Sequence, residues 1–118
     1  MRVKRGDIVL LDWPFSGGGG GKRRPALVVQ NDTDNLRLTN AIVAMITSTT
    51  RRSATATQLL IEVGTPDGKK SGLRFDSVVN CANLFTVEQS KVLFTIGSLA
   101  APLMQHVDEC LKVALALT

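Results

Sequence analysis

A mainly β fold with one terminal helix is predicted by three features of the 118-residue sequence. Short apolar segments alternate with polar and glycine-rich turns, as in small sandwiches and barrels. Only one long stretch, near the C-terminus, has apolar residues at helical spacing. The chain has the length of one domain and shows neither a repeat nor a linker. We therefore expect a single domain over residues 1–118, a small and partly open barrel with an amphipathic helix packed on it.

The strands are predicted from apolar runs that end at turn residues. They cover residues 8–13, 26–30, 41–47, 58–63 and 77–81, and residues 94–97 are a candidate for a short last strand. The third run, 41–47, is nearly all apolar, which predicts burial on both faces. Polar turns are expected at 31–35 and 64–68. Five consecutive glycines at 17–21 exclude a regular element and predict a flexible loop.

Two segments have helical signals. The run from Thr86 to Gln89 has the form of a capping box, so a short helical turn is expected to start at Thr86. Pro102 suits the first position of a longer helix. The apolar stripe of that helix comprises Leu103, Val107, Leu111 and Leu115, joined by Met104 and Ala114.

The formal net charge of +4 is unevenly distributed along the chain. Residues 1–59 contain nine Lys and Arg against four Asp and Glu, whereas residues 60–118 contain five against six. A basic surface on one side suits a polyanion or an acidic protein partner. A solvated surface that keeps the protein soluble explains the charge equally well, so charge alone leaves both interpretations open.

A cytoplasmic protein without a membrane partner is expected from the hydropathy pattern. No apolar run approaches the roughly 18 residues of a transmembrane helix. The N-terminal segment Met1 to Asp7 leads directly into a predicted strand and lacks the apolar stretch of a secretion signal. Cys81 and Cys110 are then expected to be reduced, and two cysteines do not make a zinc site.

Several catalytic classes are excluded or disfavoured by the residues available. The single histidine, His106, stands four residues before Cys110, but with no further ligands nearby a metal role is disfavoured. One histidine also excludes a two-histidine ribonuclease. A G-x-S-x-G elbow, a Walker A motif and a dinucleotide-binding glycine pattern are all absent. We expect neither a metal nor a cofactor.

Arg24 and Thr47 are the candidates for phosphate chemistry. Arg24 precedes Pro25, which favours an extended, rigid strand entrance, and an arginine there can bind a phosphate and stabilise developing charge. Thr47 ends the third apolar strand, where a hydroxyl can bind a phosphate oxygen. A surface ion pair and an ordinary strand terminus are the alternatives. If the substrate is RNA, its 2′-OH supplies the nucleophile, and the protein needs only to align groups and stabilise charge.

Five segments in this order resemble the MazF/PemK family of toxins over nearly the whole chain. Each segment alone is a weak signal, but their order and spacing together are specific. They are Arg5-Gly6-Asp7-Ile8-Val9, the run from Arg24 to Asp32, the run from Ala41 to Ser48, Gly72-Leu73 with Asp76-Ser77-Val78-Val79, and Ile96-Gly97-Ser98-Leu99.

The resemblance implies an SH3-like barrel shared with the CcdB gyrase poisons, and a homodimer that binds RNA in a groove at its interface. It implies cleavage of single-stranded RNA at a short sequence, leaving a 2′,3′-cyclic phosphate and a 5′-hydroxyl. The family's catalytic Arg and Thr fall on Arg24 and Thr47. A cognate antitoxin with an acidic, disordered tail would occupy the basic groove. Further RNA contacts are expected at Lys22, Arg23, Pro25, Ser48 and Asn83.

Three departures from the family pattern narrow the mechanism. The loop before Arg24 is Gly17 to Gly21, where relatives have a Gly-x-Glu-Gln-like stretch. Ala82, Asn83 and Phe85 stand where relatives often have an acidic residue, Gln and Arg. Relatives of the PemK type use an Arg and an Asp in this segment as acid and base, which Asn80 and Ala82 cannot replace. Only the form of the cleavage mechanism that depends on Arg24 and Thr47 remains, with proton transfer aided by water or by the RNA.

Two other functions stay open. A CcdB-like inhibitor would bind gyrase through the end of the C-terminal helix, commonly with an aromatic residue, but this chain ends Leu115-Ala116-Leu117-Thr118. An inactive relative would bind RNA or antitoxin, with salt-dependent affinity in the case of RNA, and would not cut.

Overall fold

The computed structural model describes residues 2–13, 22–51 and 53–117, with the side chains of Trp13 and Lys22 outside the description. Six strands and three α-helices occur in these residues. The strands are β1 (Asp7–Trp13), β2 (Lys22–Val28), β3 (Asn40–Thr47), β4 (Gln58–Ile61), β5 (Ser77–Glu88) and β6 (Val92–Ser98). The helices are α1 (Asp32–Arg37), α2 (Pro66–Lys69) and α3 (Ala101–Ala114), with a 3-10 turn at Gln89–Lys91. The glycine loop expected at 17–21 lies outside the described residues.

The strands form one antiparallel sheet in the order β4-β5-β3-β2-β1-β6. β4 and β6 remain edges, so the sheet is curved but not closed. The predicted partly open barrel with a C-terminal helix is therefore confirmed. No helix in the described part of the chain has the length and apolar character needed to cross a membrane.

The central strand β3 is buried on both faces between residues 43 and 46, where its side chains alternate between two cores. Ala44 and Ile46 belong to the core that α3 covers with Val107 and Cys110. On the opposite face, Val43 and Met45 pack with a second cluster that comprises Val3, Val9, Leu11, Ala26, Val28, Ala41 and Val92. Each fully buried Val, Leu or Ile stabilises the fold by roughly 1.5–3 kcal/mol. The prediction that residues 41–47 are buried on both faces is confirmed except at Ile42, which is exposed.

The polar turn expected at 31–35 is wrong, because this segment starts helix α1. The Asn31 side chain accepts a hydrogen bond from the Asp34 backbone N–H at 2.8 Å and caps the helix. Acidic side chains at Asp32 and Asp34 favour the same helix end. Asn and Asp promote both turns and helix N-caps, and the local sequence does not separate the two outcomes.

The helical turn expected to start at Thr86 is also wrong. Thr86 lies within β5, opposite Ile42 of β3, and the 3-10 turn begins only at Gln89. Gln89 is buried, where its Oε1 accepts from the Val3 N–H at 3.1 Å and its Nε2 donates to backbone carbonyls of residues 35 and 38. Pairing of β5 with β3 therefore prevails over the local capping signal.

Helix α3 confirms the predicted amphipathic pattern, except at its end. Val107 and Cys110 are buried, and Leu103, Met104, Leu111 and Ala114 pack partly buried on the same core. The helix ends at Ala114, and Leu115 follows as an exposed C-cap residue, so it does not belong to the buried stripe. Pro102 is the second helical residue, a position that tolerates the missing N–H.

Candidate active site

An open cavity of about 760 Å³ lies where β2 begins and β3 ends, at one side of the barrel. Strands β1 and β6 and the loop before β5 complete its walls. Basic, hydroxyl and apolar groups share its lining, and among the described residues that line it none is acidic. The lining residues are Leu10, Arg23, Arg24, Pro25, Ile46, Thr47, Ser48, Gly72, Leu73, Arg74, Phe75, Ser77, Phe94 and Ile96.

Arg24 lies in this cavity as the third residue of β2, so the expectation that it stands at a strand entrance is wrong. β2 pairs with β1 from Lys22, opposite Trp13, but its pairing with β3 begins only at Ala26, opposite Met45. Pro25 has no N–H to donate to a ladder, which suits this late start. Arg24 is exposed and forms no ion pair within the described part of the chain.

Thr47 is the last residue of β3 and lines the same cavity. Extending the register of Ala26 and Met45 by two residues sets Arg24 across from Thr47. The Thr47 hydroxyl oxygen accepts a hydrogen bond from the Thr49 N–H at 3.2 Å. That bond orients the hydroxyl and leaves its proton available for a ligand oxygen.

The other predicted RNA contacts divide into three groups. Arg23, Pro25 and Ser48 line the cavity with Arg24 and Thr47. Asn83 is exposed on β5 beside the register shift between Ala44 and Met45, and it does not line the cavity. The side chain of Lys22 lies outside the described residues.

The β5 segment that departs from the family pattern is also separate from the cavity. Asn80 lies opposite Met45, and its Oδ1 accepts from the Ala82 N–H at 3.0 Å. Phe85 lies opposite Val43 on the same strand. None of these β5 residues lines the cavity.

Arg74 and Phe75, in the loop before β5, are among the cavity residues that were not predicted from the sequence. Their loop packs very closely on β6: a Cβ on Gly72 would lie 2.0 Å from the Ile96 carbonyl oxygen, and a Cβ on Gly97 would lie 2.4 Å from the Lys70 oxygen. Gly72 also has a φ of +72°, which favours glycine. The close pairing of an Arg with a Phe, beside a glycine, was the available signal. It was missed because Arg74 belongs to the half of the chain with net negative charge.

Charge in the cavity comes from Arg23, Arg24 and Arg74. The nearby carboxylate of Asp76 is engaged elsewhere, since it accepts from the Val63 N–H at 2.9 Å. Three cations without a lining carboxylate produce a positive potential that attracts phosphate groups. The cavity therefore has the electrostatics of a polyanion site.

The cysteines and the histidine are remote from this chemistry. Burial raises the pKa of Cys81 to about 12 and also raises the pKa of Cys110, so both thiols stay protonated and weakly nucleophilic. His106 is exposed on α3. Within the described ranges, no cluster of three or more His, Cys, Asp or Glu side chains could hold a metal ion.

The fold and the cavity together define a class: a small, partly open barrel with a cavity whose arginine and hydroxyl groups suit a polyanion. Comparison with known proteins gives the family. Residues 4–115 match the family model described as PemK-like, MazF-like toxin of type II toxin–antitoxin system. The chain belongs to this toxin family.

Similar proteins cover nearly the full length of the chain. Endoribonuclease EndoA of Bacillus subtilis is 36% identical over 118 residues, which are 99% of this chain and 97% of that protein. The solved structure of the Mycobacterium tuberculosis toxin MazF-mt6 has a TM-score of 0.76 and 28% identity, covering 95% of this chain and 98% of that chain. A mycobacterial endoribonuclease solved with its cognate antitoxin shares the fold, with a TM-score of 0.79 at 22% identity over 98% of this chain and 97% of that chain.

Proposed function

We propose that this chain is the toxin of a type II toxin–antitoxin pair and cleaves single-stranded RNA at selected sequences without a metal ion. The observation that supports this function best is that Arg24 and Thr47, from different strands, line one arginine-rich cavity. The similar protein EndoA is named an endoribonuclease, and the family is one of toxins, which agrees with this use of the cavity.

In the proposed reaction, the ribose 2′-oxygen attacks the adjacent phosphorus and the bond from phosphorus to the 5′-oxygen breaks. The 2′-OH proton passes to water, and the leaving 5′-oxygen takes a proton from water. Arg24 stays charged throughout, because its pKa is too high for it to act as a base, and it stabilises the extra negative charge on the phosphoryl oxygens. The Thr47 hydroxyl keeps its proton and donates a hydrogen bond to one of these oxygens. The products are a 2′,3′-cyclic phosphate and a 5′-hydroxyl.

The proposal includes two protein partners. A second copy of the chain would form a homodimer whose groove joins the two cavities. A cognate antitoxin with an acidic tail would place carboxylates against Arg23, Arg24 and Arg74, which line the cavity without an acidic neighbour in its described lining. Bound in this way, the tail would exclude RNA from the same cations.

The experiment that tests the function is mapping of cleavage ends on a long RNA incubated with the purified protein, with and without EDTA. We expect cuts at a short recurring sequence, unchanged by EDTA, with 5′ ends that can be ligated only after phosphorylation. Loss of cutting with EDTA would contradict the metal-independent mechanism. Binding to RNA without cutting would indicate an inactive relative.

The same preparation separates the CcdB-like alternative. Purified gyrase is assayed for supercoiling in the presence of the protein. The ribonuclease proposal predicts no inhibition, whereas inhibition of gyrase by a protein that leaves RNA intact would favour the gyrase-binding function.

A further inference from the structure

Two phenylalanines are exposed in the wall of the cavity. Phe94 on β6 is 45% exposed and Phe75 in the loop before β5 is 69% exposed. An exposed apolar side chain is common by itself. Two aromatic rings beside a cluster of arginines are a specific combination, because proteins that bind single-stranded nucleic acid join cations for the backbone with rings for the bases.

Phe94 occupies a defined position relative to Arg24. Phe94 of β6 lies opposite Leu10 of β1, and Leu10 lies opposite Pro25 of β2. These three residues form a row across three adjacent strands, so the backbones at Phe94 and Pro25 are roughly 10 Å apart. Arg24 directly precedes Pro25. Side chains alternate between faces along a strand, so it is Arg23, not Arg24, that shares the face of Pro25 and Phe94. Arg24 and Phe94 nevertheless line the same open cavity, which places a ring beside a phosphate held at Arg24.

The ring of Phe94 already holds a cation. The Arg23 guanidinium carbon lies 5.9 Å from the Phe94 ring centroid, in cation–π geometry. This contact limits the motion of an otherwise exposed Arg23 side chain. Bases stack both on aromatic rings and on the flat faces of guanidinium groups, so the pair offers a flat surface beside the phosphate site.

Phe75 lies on an anchored part of the loop. Its carbonyl oxygen accepts from the buried Ser77 hydroxyl at 2.8 Å, and the close contact of Gly72 with Ile96 holds the start of the loop on β6. The Phe75 side chain is therefore exposed on a loop whose backbone is anchored at both of these points. Phe75 and Phe94 line the same cavity from separate elements.

We propose that Phe94 with Arg23, together with Phe75, forms a stacking subsite for an unpaired base next to the phosphate bound by Arg24 and Thr47. This subsite rests on the proposed RNA cleavage and adds to it a group that selects single-stranded over paired RNA. A base in a duplex is already stacked and cannot enter. Stacking accepts every base, so the subsite contributes affinity and positioning more than sequence choice.

The test uses oligonucleotides containing the mapped cleavage sequence, with a single abasic ribose placed at successive positions beside the cut. For the wild type, we expect one position at which the abasic residue lowers kcat/KM roughly tenfold. Phe94→Ala and Phe75→Ala should lower kcat/KM on the intact RNA by a similar factor and show no further loss at that position. An undiminished abasic penalty in both variants would overturn the subsite.

Matched variants separate stacking from general destabilisation. Leu93→Ala alters the neighbouring residue of β6, which has a comparable exposure of 40% but does not line the cavity, and it should leave kcat/KM unchanged. Phe94→Tyr retains a ring and should retain the abasic penalty, whereas Phe94→Leu should lose it. Thermal unfolding of each variant checks the fold.

A binding measurement distinguishes failure of the subsite from failure of the proposed function. The Kd of a mixed-sequence single-stranded RNA with 2′-O-methyl riboses throughout, which cannot cyclise and requires no known cut site, is measured for the wild type and both alanine variants. A weaker Kd for the variants supports the subsite even if the wild type cuts no RNA, which would overturn only the cleavage. Equal Kd values for all three proteins would overturn the subsite while leaving cleavage intact.

Discussion

Arg5 and Arg24 stand at equivalent places in the sequence, each in a basic cluster just before an apolar strand, yet the fold uses them differently. The Arg5 guanidinium binds the Asp108 carboxylate of α3 at 2.6 Å and donates to the Val29 carbonyl at 2.9 Å. Arg24 forms no ion pair in the described residues and lines the open cavity. Arg5 joins the terminal helix to the sheet, whereas Arg24 is available to a ligand.

The comparison shows that local charge density does not locate a site. Both clusters contribute to the same positive half of the chain. What separates them is whether the fold supplies an acceptor: Asp108 is 103 residues away from Arg5 along the chain and reaches it only when α3 docks. An unpaired arginine in a cavity is the informative observation, and pairing is decided by tertiary structure.

The largest effect is expected for Arg24→Ala. Removing the group that stabilises the transition-state charge should lower RNA cleavage by about 100- to 1000-fold. The free energy of unfolding should stay nearly unchanged, because the side chain is exposed. Cleavage rates and chemical denaturation are measured on the same preparation. A variant with full activity would show that Arg24 and Arg5 differ only in pairing and not in function.

A smaller loss of activity is expected for Thr47→Val, which keeps the side-chain shape and removes the hydroxyl. The cavity is open to water, so the loss of one donor should reduce cleavage by roughly tenfold to 100-fold, at the lower end of the effect of a buried oxyanion donor. The reduction should appear in kcat when the rate is measured at saturating RNA. Ser90→Ala, at an exposed hydroxyl outside the cavity, is the control and should retain the wild-type rate.

Arg5→Ala should lower the stability of the fold and leave the cleavage activity nearly unchanged. Loss of a half-exposed ion pair and of the hydrogen bond to Val29 should lower the free energy of unfolding by about 1–2 kcal/mol. Cleavage per folded molecule should remain close to that of the wild type at a temperature well below the midpoint of unfolding. If Arg5→Ala abolished cleavage in a fully folded sample, the structural role assigned to Arg5 would be wrong.

The smallest effect is expected on stability at acid pH, where the Asp32 carboxylate beside Arg5 takes up a proton. The Arg5 backbone N–H donates to the Asp32 carboxylate at 2.7 Å and, with the Asn35 side chain, lowers the pKa of Asp32 below its usual 3.8. A lowered pKa in the folded state stabilises the fold above the unfolded value, and this contribution disappears as the pH falls through the folded value. Asp32→Asn should therefore weaken the fall in stability below about pH 4. Urea unfolding from pH 6 to pH 2.5 measures it, and identical slopes for both proteins would contradict the assignment.

Much of the fold can be predicted from local sequence patterns. The predictions are wrong where one pattern permits two structures. Apolar runs located all six strands, although β5 continues to Glu88 and β2 starts at Lys22. The segment at 31–35 forms a capped helix because Asn and Asp suit both turns and caps. Thr86 lies in a strand because pairing with Ile42 outweighs a capping box. These outcomes depend on partners distant in sequence.

The candidate site also contains residues that the sequence identifies and residues that only the structure places there. Arg24, Thr47 and Ser48 were identified from strand ends and from the family resemblance, and they line one cavity. Their catalytic and binding roles remain predictions. Phe94, Arg74 and Phe75 could not be placed in this cavity in advance, because nothing near them in sequence indicates that β6 borders β1 or that the loop at Gly72 packs on Ile96.

The sequence by itself determined the class of fold, the terminal helix and the two groups suited to phosphate chemistry, because periodicity, proline and residue type act over a few neighbouring positions. The tertiary structure decided which arginines are paired and which remain available, and it brought two phenylalanines to the wall beside Arg24. The physical reason is that local patterns act between neighbouring residues, whereas these contacts join residues that are distant in sequence. Strand order and docking of α3 join groups up to about a hundred residues apart, and no local pattern records those contacts.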